Sequence, residues 1–275
     1  MTIATVAEPS GRAAARLFAV RQASDVAPPL VAFLGAVAVW EVVVRAFGLK
    51  QFILPGPLAI AAAWQANLPV LVSATAYTLG EILGGLLMGV VAGVLAGGVT
   101  ARFARVRGSL LPFAIAANSV PIIAFAPIFN NWFGVDSQVS KAMIAAVLVF
   151  FPVMISTVRG LLAVDPAALE LMRSYAAPER KVLRSVRVPN AVPFVFTSLR
   201  VATTLATIGA IVAEYFAAPR GSLGQYIATQ SAFLAFDRSW AAIVFAAAIG
   251  IGLYLLVVGL ERVVSPWAAA RGGAT

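Results

Sequence analysis

Long apolar runs alternate with short polar gaps along nearly the whole chain. The runs lie at about Leu30–Phe47, Ala74–Gly98, Leu110–Phe129, Val139–Ser156, Val192–Phe216 and Ala241–Leu260. A helix of roughly 20 residues crosses a hydrocarbon core of about 30 Å, so the pattern predicts six transmembrane helices and no strands. The domain they define covers residues 29–264. Before it, Arg12, Arg16 and Arg21 alternate with Leu17, Phe18 and Val20, so residues 1–28 read either as an amphipathic surface helix or as a basic tail. Residues 265–275 read as a second tail.

Polar and helix-breaking residues inside the runs add detail. Glu41 and Arg45 sit four apart in the first, on one helical face where they can pair. The Pro-Gly-Pro of Phe52–Pro57 then ends that helix. In the second run Gly85, Gly89, Gly93 and Gly97 recur every four residues, a smooth face suited to close helix packing. Glu81 in the same run is a carboxylate at membrane depth, where such groups face the bundle interior. The third run is interrupted by Asn118, Pro121 and Pro127. A broken helix frees backbone groups that only protein or a wet cavity can satisfy, so this run is a candidate pore lining, with a kink tolerated for packing as the other reading. Arg200 and Glu214 lie near opposite ends of the fifth run, and the polar stretch Pro219–Trp240 predicts a short surface or re-entrant helix. Glu81, Asn118, Pro121 and Glu214 are the candidate residues of a solute path.

One gap differs from the others. Residues 161–189 contain the long basic segment Asp165–Pro189, which reads as two short helices. Asp165 suits an N-cap and Pro166 the first helical position. Pro178 pushes the residue before it out of the α region and restarts the chain. The first helix is expected at Ala167–Ala176 and the second from Pro178 to about Arg187. A helix pair between two membrane spans is suited to docking a soluble partner.

Composition agrees with the pattern. Charged residues make up 11%, hydrophobic ones 61%, and mean hydropathy is +0.94; a soluble domain carries about 25% charged residues. The net charge of +9 resides in the gaps between runs, which is a topology signal and not a nucleic-acid-binding face. Alternate gaps hold Arg12, Arg16, Arg21, Arg102, Arg105, Arg107, Arg159, Arg173, Arg180, Lys181, Arg184, Arg187, Arg262 and Arg271, whereas the others hold Lys50, Arg220 and Arg238. Both termini and the 161–189 loop are therefore expected on the cytoplasmic side. The chain has no cysteine and no histidine, which removes disulfides, the usual zinc and haem ligands, and Cys or His catalysis.

Glu170, Leu171 and Met172, then three residues, Ala176, and later Val188–Pro189 resemble the coupling motif of bacterial ABC-importer permeases. That motif is Glu-Ala-Ala, three residues, Gly, and about eleven residues on an apolar residue and Pro. Asn118–Gly134 resembles the family's broken helix and outer aromatic-glycine turn, and Gly221, Leu223, Gly224 and Tyr226 its outer Gly-Leu-Gly-Tyr element. Within the family the chain resembles the nitrate, sulfonate, taurine and thiamine-precursor group. Thr78–Gly85, Ala126–Gly134, Glu170–Pro178 and Ile211–Phe216 bring it nearest to hydroxymethylpyrimidine or riboflavin-type permeases. Ala176 stands where the family has glycine, and alanine costs roughly 1 kcal/mol or more in a left-handed backbone. Pro178 is expected to make that turn another way.

The resemblance implies an all-α, type I importer permease in the bacterial inner membrane. It also implies three partners beside the lipid bilayer: cytoplasmic ABC ATPase subunits, a second permease copy completing a homodimer, and an extracytoplasmic solute-binding protein. Glu170, Leu171, Met172, Arg173, Tyr175, Ala176 and Pro189 become the ATPase-coupling residues. The chain has no Gly-Lys pair and so no P-loop, which leaves it a transport subunit without an ATPase, catalytic, cofactor or metal site of its own. Three other classes fit less well. A secondary transporter should show an internal repeat, an intramembrane hydrolase a spaced nucleophile and base, and a vitamin-capturing membrane subunit no coupling loop. Sulfonate, taurine or nitrate remains the alternative substrate class. Glu81 and Glu214 would repel such anions unless paired or protonated.

Overall fold

The computed structural model describes residues 11–216 and 221–267. The parts of the expected tails at 1–10 and 268–275, and the loop residues Pro219 and Arg220, lie outside them. The described residues form helices α1 (Gly11–Ala46), α2 (Pro57–Ala66), α3 (Leu68–Arg102), α4 (Ala104–Ala117), α5 (Ala126–Phe133) and α6 (Gln138–Leu162). Then come α7 (Pro166–Ser174), α8 (Glu179–Val182), α9 (Val188–Phe216), α10 (Leu223–Ala232) and α11 (Phe236–Val264). Among the described residues five segments are long and apolar enough to cross a membrane: 27–46, 68–102, 138–162, 179–216 and 236–264.

The third predicted span is not one helix. It is α4, a 3₁₀ turn at Ile122–Phe125, and α5. Proline explains the division. Pro121 has no N–H and disfavours an α conformation at Val120, so α4 ends in tight turns from Ser119 N–H to Ala116 and Val120 N–H to Ala117. Pro127 then occupies the first turn of α5, where its missing N–H costs nothing. The six predicted runs thus correspond to five long helices and this divided stretch.

The core is a layer in which α3 packs on α6, α6 on α9 and α9 on α11. Of α6's most apolar window 56% is buried, against none of α1's, which makes α6 the centre and α1 the periphery. The α3–α6 seam rests on the glycine face. A Cβ on Gly85 would stand 2.6 Å from the Ala142 carbonyl oxygen, and one on Gly89 2.5 Å from that of Ala146. On Gly93 it would meet Phe150 at 2.9 Å, and on Gly97 Thr157 at 2.7 Å. The packing reading of the stripe therefore holds along its whole length.

Peripheral elements are pinned by polar contacts. The Glu41 carboxylate accepts from Arg45 Nε at 2.6 Å and from Leu58 N–H at 3.2 Å, so it caps α2 across the Pro-Gly-Pro turn. Trp40 packs edge-on against Trp240 at 5.2 Å, and Arg200 of α9 pairs with Glu261 of α11. Replacing Gly89 by Val should lower the melting temperature of detergent-purified protein by the equivalent of about 1–3 kcal/mol. Gly98→Ala, with nothing within 4 Å of its Cβ position, should leave it unchanged or slightly raised. Thermal unfolding followed by size-exclusion chromatography checks both.

Candidate functional site

At one end of the α3–α6–α9 layer a buried polar cluster fastens α10 to the core. Thr78 and Glu81 lie three apart on α3 and so share a face. Across from them Glu214, near the end of α9, is fully buried and accepts from the Thr78 hydroxyl at 2.7 Å and from Gly224 N–H at 2.7 Å. Leu223 N–H donates to Thr78 Oγ1 at 3.0 Å. Glu214 therefore meets the first turn of α10, where free N–H groups and the helix dipole favour a carboxylate. The approach requires glycine: a Cβ at 224 would lie 2.5 Å from both the Glu214 Cβ and the Ile211 carbonyl oxygen. Ser222 completes the cap by accepting from Gln225 N–H at 3.3 Å. Further along α10, burial raises the Tyr226 hydroxyl above its ordinary range, which keeps it neutral beside the core.

Lys141 is the buried cation of the same region. Its side chain is wholly buried, and its ammonium donates to the Val135 carbonyl oxygen and to Asn130 Oδ1, which also accepts from Ser140 at 2.6 Å. These bonds tie the end of α5 to the start of α6. Glu81, 1% exposed, faces Glu214 and has no donor among the described residues on either oxygen. Among the described residues no group of three or more His, Cys, Asp or Glu side chains converges as a metal ligand set would.

Two cavities flank the layer. One of about 790 Å³ opens beside the divided stretch and is lined by Ala124, Pro127, Asn130, Asn131 and Phe216 among others. The second, about 470 Å³, is an apolar groove between α9 and α11 carrying Thr204, Thr207 and Tyr254. Among the described residues neither has a charged side chain in its lining. Of the four predicted path residues, Glu81 and Glu214 meet each other in the interior, whereas Asn118 and Pro121 lie exposed at the break before the 3₁₀ turn. Thr78, Asn130 and Lys141 complete the cluster without having been singled out from sequence. The one available signal was Thr78's position a turn before Glu81.

The 161–189 loop stands at the opposite ends of α6 and α9. Asp165 caps α7 as expected, accepting from Ala167 N–H at 2.9 Å, and Asn190 Nδ2 ties the two long helices by donating to Gly160 and Ala163. No residue of α7 is buried, and among the described residues no other helix packs substantially on it. Glu170 and Arg173 are exposed and Met172 half-buried, while Leu171 and Tyr175 are 55% and 73% exposed. The expected course of the loop needs two corrections. Ala176 has φ +47°, so it is the left-handed residue, with Ala176 N–H donating to Arg173 and Ala177 N–H to Met172 in a Schellman-type stop. Pro178 does not replace it. The second helix also has no break before the fifth span: α8 runs through a π-helical turn at Leu183–Arg187 into α9, placing Pro189 inside a continuous helical path. The wide turn sits where the missing N–H of Pro189 disturbs the ordinary ladder.

The helical layer and its long apolar helices describe a multi-pass membrane protein. Residues 85–269 match the family described as binding-protein-dependent transport system inner membrane component, and the chain belongs to that family. It is 35% identical over 233 residues to the riboflavin transport system permease protein of Chloroflexus aurantiacus, covering 84% of this chain and 86% of that one. With the formylaminopyrimidine transport permease protein of Halalkalibacterium halodurans it shares 29% over 255 residues, 87% of this chain and 95% of the other. The fold resembles that of a chain in the crystal structure of an amino acid ABC transporter with histidines, at TM-score 0.57 and 17% identity, over 74% of this chain and 97% of that one. The protein is thus an all-α inner-membrane ABC permease whose ATPase is a separate subunit and which works with a binding protein. Because Ala176 is left-handed, Ala176→Gly should stabilise the loop by about 1 kcal/mol. Slower amide exchange at Ala177, against wild type, is the expected readout.

Proposed function

We propose that the chain is one half of a homodimeric ABC importer that admits an uncharged heterocyclic vitamin or precursor of the pyrimidine or riboflavin kind. Both termini and the 161–189 loop face the cytoplasm. The solute path runs along the face bearing Asn118, Pro121 and the cavity beside α5, where freed backbone groups can meet water or solute. Glu81 and Glu214 support this wall from behind. The linings that the described residues give these cavities carry no charge, which favours a neutral solute over a sulfonate or nitrate. Sulfonate, taurine or nitrate is the second reading, because Lys141 lies close behind Asn130.

The observation that carries the coupling assignment is the exposed face of α7. A short capped helix with Leu171 and Tyr175 uncovered and almost no packing within its own chain is suited to a groove on another subunit. A few bulky anchors carry most of the binding energy in such contacts. Glu170, Arg173 and the turn at Ala176 set the charge and angle of the helix, and Pro189 sits where its motion enters α9. Glu170→Lys should reverse the electrostatic contacts, and Met172→Asp should bury an unpaired charge. Either change is expected to reduce co-purification of the ATPase and solute-stimulated ATP hydrolysis by about tenfold or more, with unchanged membrane levels. Wild-type values for both variants would exclude α7 as the coupling element.

A further inference from the structure

We propose that Glu81 and Glu214 form a site for one bound proton, and that this proton holds α10 against α3 and α9. Both Glu214 oxygens are already accepting, one from the Thr78 hydroxyl and one from Gly224 N–H. The Glu81 carboxyl lies beside Glu214, is 1% exposed, and has no donor among the described residues on either oxygen. An ionised carboxylate only accepts. Two ionised groups here would orphan both Glu81 oxygens and oppose like charges in the interior. A proton on Glu81 makes it an O–H donor to Glu214 and removes both defects.

The charge count gives the same answer. Among the described residues the titratable groups around the pair are Tyr77 on α3, Lys141 on α6 and Asp136 in the turn before α6. Asp136 is exposed and solvated, while α5 contributes the neutral Asn130 and the first turn of α10 backbone N–H groups. Lys141⁺, Glu214⁻ and a protonated Glu81 form a neutral buried set. Loss of the proton leaves a net negative charge inside, which costs several kcal/mol in a low-dielectric interior. A metal cation suits the site less well. Thr78 and Gly224 already point hydrogens at Glu214, leaving two free Glu81 oxygens where sodium-like or divalent ions take about six ligands. The proton is bound by the state with α10 docked, so that state is favoured at lower pH and loosens as pH rises.

The test uses the full chain in nanodiscs, as wild type, Glu81→Gln and Glu81→Ala, with melting temperature followed from mildly acidic to alkaline pH. The inference does not depend on substrate or coupling, because neither enters these readouts. Wild type should lose roughly 5 °C or more as pH rises. Glu81→Gln, whose amide N–H donates to Glu214 at every pH, should match wild type at acidic pH and stay flat; Glu81→Ala should melt lower throughout. Infrared spectra should show a protonated-carboxyl band in wild type that is missing from Glu81→Gln. The proposal is overturned by a Gln variant as unstable as the Ala variant, by one that keeps the wild-type pH dependence, or by absence of the band. It is equally overturned if sodium in place of protons sustains wild-type stability.

Discussion

The approach of α3 to α6 sets the position of every functional element described above. Four glycines let the two backbones meet at a distance that a single methyl group would forbid. Within the membrane, apolar side chains gain little by leaving lipid for protein, so such close packing is the principal force between helices. Register follows from it. Because Gly85 is seated on Ala142, Glu81 one turn away comes to the level of Lys141, and Thr78 one further turn away comes to the level where α10 begins.

The layer also gives the molecule two differentiated ends. At one, hydrogen bonds from α3, α9 and α10 converge on Glu214, and α5 is tied to α6 through Asn130. At the other, Asn190 joins α6 to α9 while α7 projects without a covering partner. Both ends are built on α6 and α9. On the proposed coupling role of α7, a displacement there would pass into these two packed helices, which also carry the polar cluster. The Arg102–Glu179 pair near α7 adds little to this link, since both side chains are mostly solvent-exposed.

Much of this could be read before any coordinates. The glycine spacing, the Asp165 cap and the tendency of Glu81 and Glu214 to turn inward each follow from one local rule. What escaped had no local signal. Only the family glycine at that position hinted at a left-handed Ala176, since alanine itself gives no such signal, and Pro178 offered a plausible but wrong substitute for it. The second loop helix was expected to stop at about Arg187, yet a π turn at Leu183–Arg187 carries it on into α9. Thr78, Asn130 and Lys141 became part of the cluster only through contacts between distant segments. Proline did signal a break in the third run, but not that it would separate two short helices.

The central claim is that this chain is a passive membrane half driven by an ATPase it does not contain. Reconstitution in proteoliposomes tests it most directly: radiolabelled riboflavin and a formylated aminopyrimidine are offered with the chain alone and with its ATPase and binding protein. Uptake of one of these solutes should appear only with all components and ATP, and should survive collapse of ion gradients. Uptake by the chain alone, driven by an ion gradient and indifferent to ATP, would contradict the account.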